Sequence, residues 1–97
     1  MAVYVDDAFC AGDWGRWTGG GHMQADTLHE LHEFAGRLGL RRAWFQSRPG
    51  RPDRDHYDLT ESKRAEAIRL GAIPEAVRQG TVRRRAIRGL QRQEPAR

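Results

Sequence analysis

Residues 22–39 run His-Met-Gln-Ala-Asp-Thr-Leu-His-Glu-Leu-His-Glu-Phe-Ala-Gly-Arg-Leu-Gly, and within them a short extended stretch gives way to a helix. Thr27-Leu28-His29-Glu30 has capping-box spacing, in which the threonine hydroxyl accepts from the Glu30 amide. Leu28, Leu31, Phe34, Ala35 and Leu38 then recur on one helical face, and Gly39 stands where a left-handed C-terminal residue is wanted. His22–Ala25 read as a short strand feeding this helix. Upstream, Ala2-Val3-Tyr4-Val5 reads as a buried strand that stops at Asp6-Asp7. Between the two strands, residues 8–21 (AFCAGDWGRWTGGG) have no period, and their five glycines and two tryptophans mark a loop.

Downstream, Ala43-Trp44-Phe45 reads as a third strand ending near Gln46, and residues 47–55 as a loop rich in proline, glycine and charge. Asp58-Leu59-Thr60-Glu61 is a second capping-box pattern, opening a helix that ends near Gly71. Leu59, Ala67 and Leu70 share one side of it, with Lys63 on the same arc. Ala72-Ile73 reads as a fourth short strand, and residues 81–92 as a last helix with Val82, Ala86 and Leu90 in one stripe. These elements predict an α/β fold: a small single-layer sheet of three to four short strands packed by two to three helices. The organisation expected is a compact domain over 1–77 and an arginine-rich C-terminal helix or tail over 78–97.

Composition narrows the function classes. The 97 residues carry 17 Lys and Arg against 13 Asp and Glu, a net charge of +4, with 38% hydrophobic and 31% charged residues. A chain of this length buries only roughly 60–65% of its unfolded surface, so a ligand site is shallow or shared, and a homodimer sharing apolar surface is compatible with so small a core. The charge is uneven: residues 78–97 hold seven arginines and one acid. Such a tail can bind nucleic acid non-specifically through phosphates, but it has no pattern for base readout. No apolar run approaches the ~18 residues a membrane helix needs, so no membrane role is expected. No secretory signal is visible after Met1, and a cytoplasmic location is the expectation. Cys10 is the only cysteine, which excludes a disulfide framework within the chain. Walker, GxGxxG, GxSxG and HExxH motifs are absent, and Gly19-Gly20-Gly21 lacks the lysine of a phosphate loop.

The polar residues sit at the edges of the apolar segments. Asp6 and Asp7 follow a strand, where paired carboxylates suit a hard divalent cation such as magnesium, with Asp26 as a further ligand. The alternative for these aspartates is a solvated strand end or a helix cap. His22 shares an extended face with Gln24 and Asp26. His29 and His32 are read as solvated. His56-Tyr57-Asp58 with Ser62-Lys63-Arg64 puts an imidazole, a phenol, a carboxylate and two cations around a helix amino end, a combination fit for acid–base work beside an anion. Expected catalytic residues are His56, Asp58, Asp6 and His22, expected ligand-binding residues Lys63, Arg64, Tyr57 and Gln46, and expected metal ligands Asp6, Asp7 and Asp26. Trp14, Trp17 and Trp44 can stack a ring or supply core bulk.

In order along the chain, Ala2–Asp7 (AVYVDD), His22–Thr27 (HMQADT), Glu30–His32 (ELH), Trp44–Gln46 (WFQ), His56–Asp58 (HYD), Lys63-Arg64 and Gly71-Ala72 resemble the bacterial and phage family catalogued as domain of unknown function 4031. The resemblance spans roughly residues 2–75 and implies that the Asp-Asp, His-x-x-x-Asp and His-Tyr-Asp blocks belong to one unit. The tryptophan-rich loop and the arginine-rich end look less typical of that family. The functional expectation is a small enzyme acting on a phosphate-bearing substrate, nucleotide or nucleic acid, by His/Asp acid–base or metal-assisted chemistry. The alternative is a non-catalytic module binding an anionic ligand, nucleic acid or a partner protein.

Overall fold

The computed structural model describes residues 2–91, with side chains through Ala86. It is a four-stranded mixed sheet with three helices: β1 (Val3–Val5), β2 (Gly21–Ala25), α1 (Leu28–Arg37), β3 (Tyr57–Leu59), α2 (Glu61–Arg69), β4 (Ile73–Pro74) and α3 (Val77–Gln91). The strand order is β3-β2-β1-β4. β2 is antiparallel to both β1 and β3, and β4 is parallel to β1. β3 and β4 therefore run the same way at opposite edges, and α2 is the crossover between them. No helix of the described residues is long and apolar enough to cross a membrane.

Alternation along the strands sorts the side chains. Val3 and Val5 of β1, Met23 of β2, and Tyr57 and Leu59 of β3 are buried on one face. There they meet Leu31, Phe34 and Leu38 of α1 and Ala67 of α2. The other face carries Tyr4, Gln24, His22 and Asp58. Thr27 caps α1 as the spacing predicts, accepting from the Glu30 N–H at 3.2 Å, and Gly39 adopts φ +76° after the helix.

Four expectations change. Residues 43–45 do not form a strand: Arg42–Trp44 make a single 3-10 turn, and only Gln46 pairs in extended fashion, with His56. Three apolar residues flanked by arginines have no partner strand of matching length, and Phe45 instead tilts against Tyr57 and His32. The third strand is Tyr57–Leu59, so Asp58 is a strand residue and Thr60 is the cap of α2, accepting from the Lys63 N–H at 3.4 Å. His32 is half-buried, its Nδ1 2.8 Å from the Tyr57 hydroxyl, whereas His29 is exposed as expected. Lastly, α3 starts at Val77 rather than 81, and Val82 and Ala86 of the expected apolar stripe are exposed, while the side chain of Leu90 lies outside the described residues. The helix lies on the polar face of the sheet through arginines. Arg83 sits 4.0 Å over the Tyr4 ring, pairs with Glu75 at 2.7 Å and donates to the buried Gln24 Oε1 at 2.9 Å, which Arg84 also reaches. Residues 92–97 lie outside the described residues.

The triple glycine is a packing device. A Cβ on Gly20 would strike the Leu59 carbonyl, and one on Gly21 would strike both the backbone and the carboxylate of Asp6. Gly21→Ala must therefore push β2 away from the end of β1. We expect it to cost about 1–3 kcal/mol in chemical denaturation, in the range of overpacked cores, while Gly36→Ala, at an exposed helical site with open space around it, is neutral or stabilising.

Candidate functional site

The register of β2 against β3 places His22 directly opposite Asp58 on the polar face. His56 lies two residues before Asp58, so it projects to the same side. Asp6 completes the group from the end of β1. Its amide donates to the His22 carbonyl at 2.9 Å, and its Oδ1 accepts from the N–H groups of His22 (2.8 Å) and Ala8 (3.0 Å). Its Oδ2 lies 2.9 Å from His22 Nδ1. His56 Nδ1 lies 2.7 Å from the carbonyl of Arg54. A carbonyl only accepts, and so does an ionised carboxylate, so both histidines donate from Nδ1. Their Nε2 atoms are left facing Asp58, with Oδ1 3.6 Å from His22 Nε2 and 3.4 Å from His56 Nε2. The two imidazole planes are perpendicular with centroids 5.1 Å apart, and one donor atom from each of the three side chains lies within 4.8 Å of the others.

The protonation of the site follows from these contacts. Burial works to raise Asp6, but the ring and backbone N–H groups of His22 outweigh it and hold the carboxyl below its ordinary range. Asp58 is lowered by the His56 ring facing it, against burial and with help from the Gln46 amide, whose Nε2 donates to Oδ2 at 2.7 Å. Burial works to lower His56, but Asp58 and the Arg54 carbonyl prevail and raise it above the ordinary imidazole value. Around His22 the loop closes with Phe9, whose ring meets the imidazole edge-on at 5.0 Å and carries Trp14 at 5.1 Å on another side. Beside Asp58 and Gln46 opens a hollow of about 510 Å³, walled by Trp17, Trp44, Leu40 and Ala43, with Arg16, Thr60, Ser62 and Lys63 on its polar side.

Of the residues singled out in the sequence, Asp6, His22, His56, Asp58 and Gln46 come together. The others do not join them. Asp7 caps α3, its Oδ1 accepting from the Val77 N–H at 3.1 Å. Asp26 stands at the far end of β1, accepting from the Ala2 N–H at 2.8 Å and the Tyr4 hydroxyl at 3.0 Å. Asp6, Asp7 and Asp26 thus share no common ion position. Tyr57 points into the core, because a strand turns alternate residues to opposite faces. Lys63 reaches the Leu38 carbonyl at the end of α1 and pairs with Glu66 at 3.6 Å, though its side chain still borders the hollow. Arg64 donates from Nε to the Asp6 carbonyl at 2.7 Å, bracing the site from behind. Phe9 was missed, and its only signal was an aromatic beside a strand end. The convergence of His56 with Asp58 had a plain signal in the alternation of His56-Tyr57-Asp58-Leu59.

A family model described as "Protein of unknown function (DUF4031)" matches residues 3–88, nearly the whole chain. The chain belongs to the DUF4031 family. No curated protein and no solved structure matches it. The family match includes β2 with His22, the His56 bridge and β3 with Asp58, the tryptophan loop and most of α3, so the whole site lies within it.

The His56–Asp58 pair makes stability pH-dependent. A histidine raised on folding contributes fully below its ordinary value of 6.5 and loses that contribution as pH rises through the raised value. An aspartate lowered on folding contributes above its ordinary 3.8 and loses it as pH falls through the lowered value. The pair is therefore strongest between those two ordinary values. In chelator-containing buffer, denaturation midpoints should fall as pH rises above the ordinary imidazole value of 6.5 in the native chain and fall less in Asp58→Asn. Equal declines in the two proteins would show that the pair does not set the slope.

Proposed function

We propose that this protein is a divalent-metal hydrolase acting on a phosphate-bearing substrate, a nucleotide or nucleic acid, with His22, His56 and Asp58 as the metal ligands. The observation that carries the proposal is the spacing of the three donors. Donors about 2.1 Å from a common tetrahedral ion lie about 3.4 Å apart. The two Nε2–Oδ1 separations, 3.4 and 3.6 Å, fit that edge and are long for charge-assisted hydrogen bonds. Both imidazoles also carry the outer partners that metal-bound histidines use, a carboxylate on His22 and a backbone carbonyl on His56.

Two imidazoles and one carboxylate suit zinc, iron, nickel or manganese better than magnesium, which favours oxygen donors and water. Three protein ligands leave a position open, where a bound metal supplies a Lewis acid and a water acidified to about neutrality. In hydrolysis the water oxygen bonds to phosphorus, the bond to the leaving oxygen breaks, and the water's proton ends on that leaving group. Asp6 keeps the His22 ring in the orientation that offers Nε2, and Gln46 holds the Asp58 carboxylate. Arg16 and Lys63 border the adjoining hollow and are suited to a phosphate's remaining charge. Charge alone also supports a non-catalytic anion-binding module in the same hollow. The arginine-rich helix is less suited to carry function by itself, because Arg83 and Arg84 are occupied by Gln24 and Glu75.

Calorimetric titration of the chelator-treated protein with zinc, manganese, nickel and ferrous ions should find one site per chain. His22→Ala and His56→Ala should lose it, and Asp6→Asn should weaken it about 10–100-fold. Hydrolysis of a nitrophenyl phosphodiester should follow metal occupancy. Undiminished uptake in the His22→Ala/His56→Ala double variant, or turnover unaffected by chelator, would overturn the proposal.

A further inference from the structure

We infer that the hollow beside Asp58 is a nucleobase pocket, so that the substrate class of the proposed centre is a nucleotide unit rather than a small phosphate ester. The inference rests on the metal-hydrolase reading for its reaction but stands on separate observations for its ligand. The hollow has a volume of about 510 Å³, within the ~300–1,000 Å³ of pockets that enclose small organic ligands. Two of the three tryptophans line it. Trp14, the third, is used structurally: its ring packs on Phe9 and its Nε1 donates to the Ala11 carbonyl at 2.7 Å. Trp17 and Trp44 differ. What separates them from Trp14 is the indole N–H, since neither Nε1 has a protein partner among the described residues, whereas exposure does not, Trp14 and Trp44 both being 50% exposed. A small chain that leaves so large an aromatic half in solvent at the wall of a cavity offers a flat apolar surface, and every base presents a matching π-face.

The polar wall suits the rest of a nucleotide. Thr60 and Ser62 supply hydroxyls that both donate and accept, matching the mixed edge of a base or a sugar. Arg16, whose guanidinium lies 5.0 Å over the Trp17 ring, covers one face of that indole and brings a cation to the pocket wall, which leaves Trp44 as the open stacking surface. Asp58 is the partition between pocket and centre. Its Oδ2 takes the Gln46 amide on the pocket wall, while its Oδ1 faces the two imidazoles. A base seated against Trp44 would therefore place its phosphate end toward Asp58, the residue the hollow and the ligand cluster share.

The test uses the full chain in chelator, so that binding is read without metal or turnover. Calorimetry compares AMP, CMP, GMP and UMP with ribose 5-phosphate. At least one nucleotide should bind about tenfold or more tightly than the sugar phosphate, the scale of one base–aromatic stack. Trp44→Leu should erase that advantage, and Trp44→Phe, which restores a ring, should recover most of it. His29→Ala, at an exposed position on α1 away from the hollow, should leave nucleotide binding unchanged. Ribose 5-phosphate binding as tightly as the nucleotides, no nucleotide binding at millimolar concentration, or an unchanged advantage in a folded Trp44→Leu would overturn the base pocket. None of these results bears on whether the three-ligand centre takes metal, which is read by metal titration of the same proteins.

Discussion

The buried carboxylate of Asp6 is the constraint around which the structure is arranged. Only 4% of the residue is accessible, so an ionised group there must be met on every side. Two backbone amides and the His22 ring meet it, and its own carbonyl takes the Arg64 guanidinium. These bonds tie the end of β1 to β2, to the following loop and to α2. Gly21 is required because this carboxylate and its backbone lie so close that no side chain fits between. The same bonds give His22 its tautomer and its direction. What stabilises the meeting of three elements also prepares a ligand.

A chain of this size divides its single sheet sharply. One face buries Val5, Met23, Tyr57 and Leu59 beneath two helices and supplies nearly all of the apolar core. The other face is polar along its length, and it is used twice. At the Tyr4–Gln24 end it receives α3 through stacked and hydrogen-bonded arginines, with Gln24 satisfied on both its oxygen and its nitrogen. At the His22–Asp58 end it stays open. Buried amides and guanidinium groups are tolerable only when bonded this fully, so α3 is fixed in one position beside the open end without covering it.

The tryptophan loop links core and site. Backbone bonds between Phe9 and Gly19-Gly20 fold it back on itself, and Phe9 then closes one side of His22. Trp17, from the same loop, passes to the neighbouring hollow and faces the turn that carries Trp44. A segment without any hydrophobic period is thereby given one shape, set by close glycine contacts and aromatic packing rather than by a regular backbone.

Local chemistry was legible in the chain. The helix over 28–37, its threonine cap and its glycine stop depend on neighbours within a turn, and they stand as the spacing predicts. The strands at 3–5 and 21–25 and the family resemblance were legible for the same reason, as were the residue types of Asp6, His22, Gln46, His56 and Asp58. The partnerships were not. Asp7 and Asp6 are equal in sequence, yet one caps a helix 70 residues away and the other holds an imidazole. Residues 43–45 carry strand propensity but meet no strand of their length, and the arginines of α3 look solvated until Gln24, Glu75 and Tyr4 are brought beneath them. Register across strands is a long-range property, set by which apolar faces bury together. Only that register places His22 opposite Asp58 and turns three separate polar residues into one set of donors.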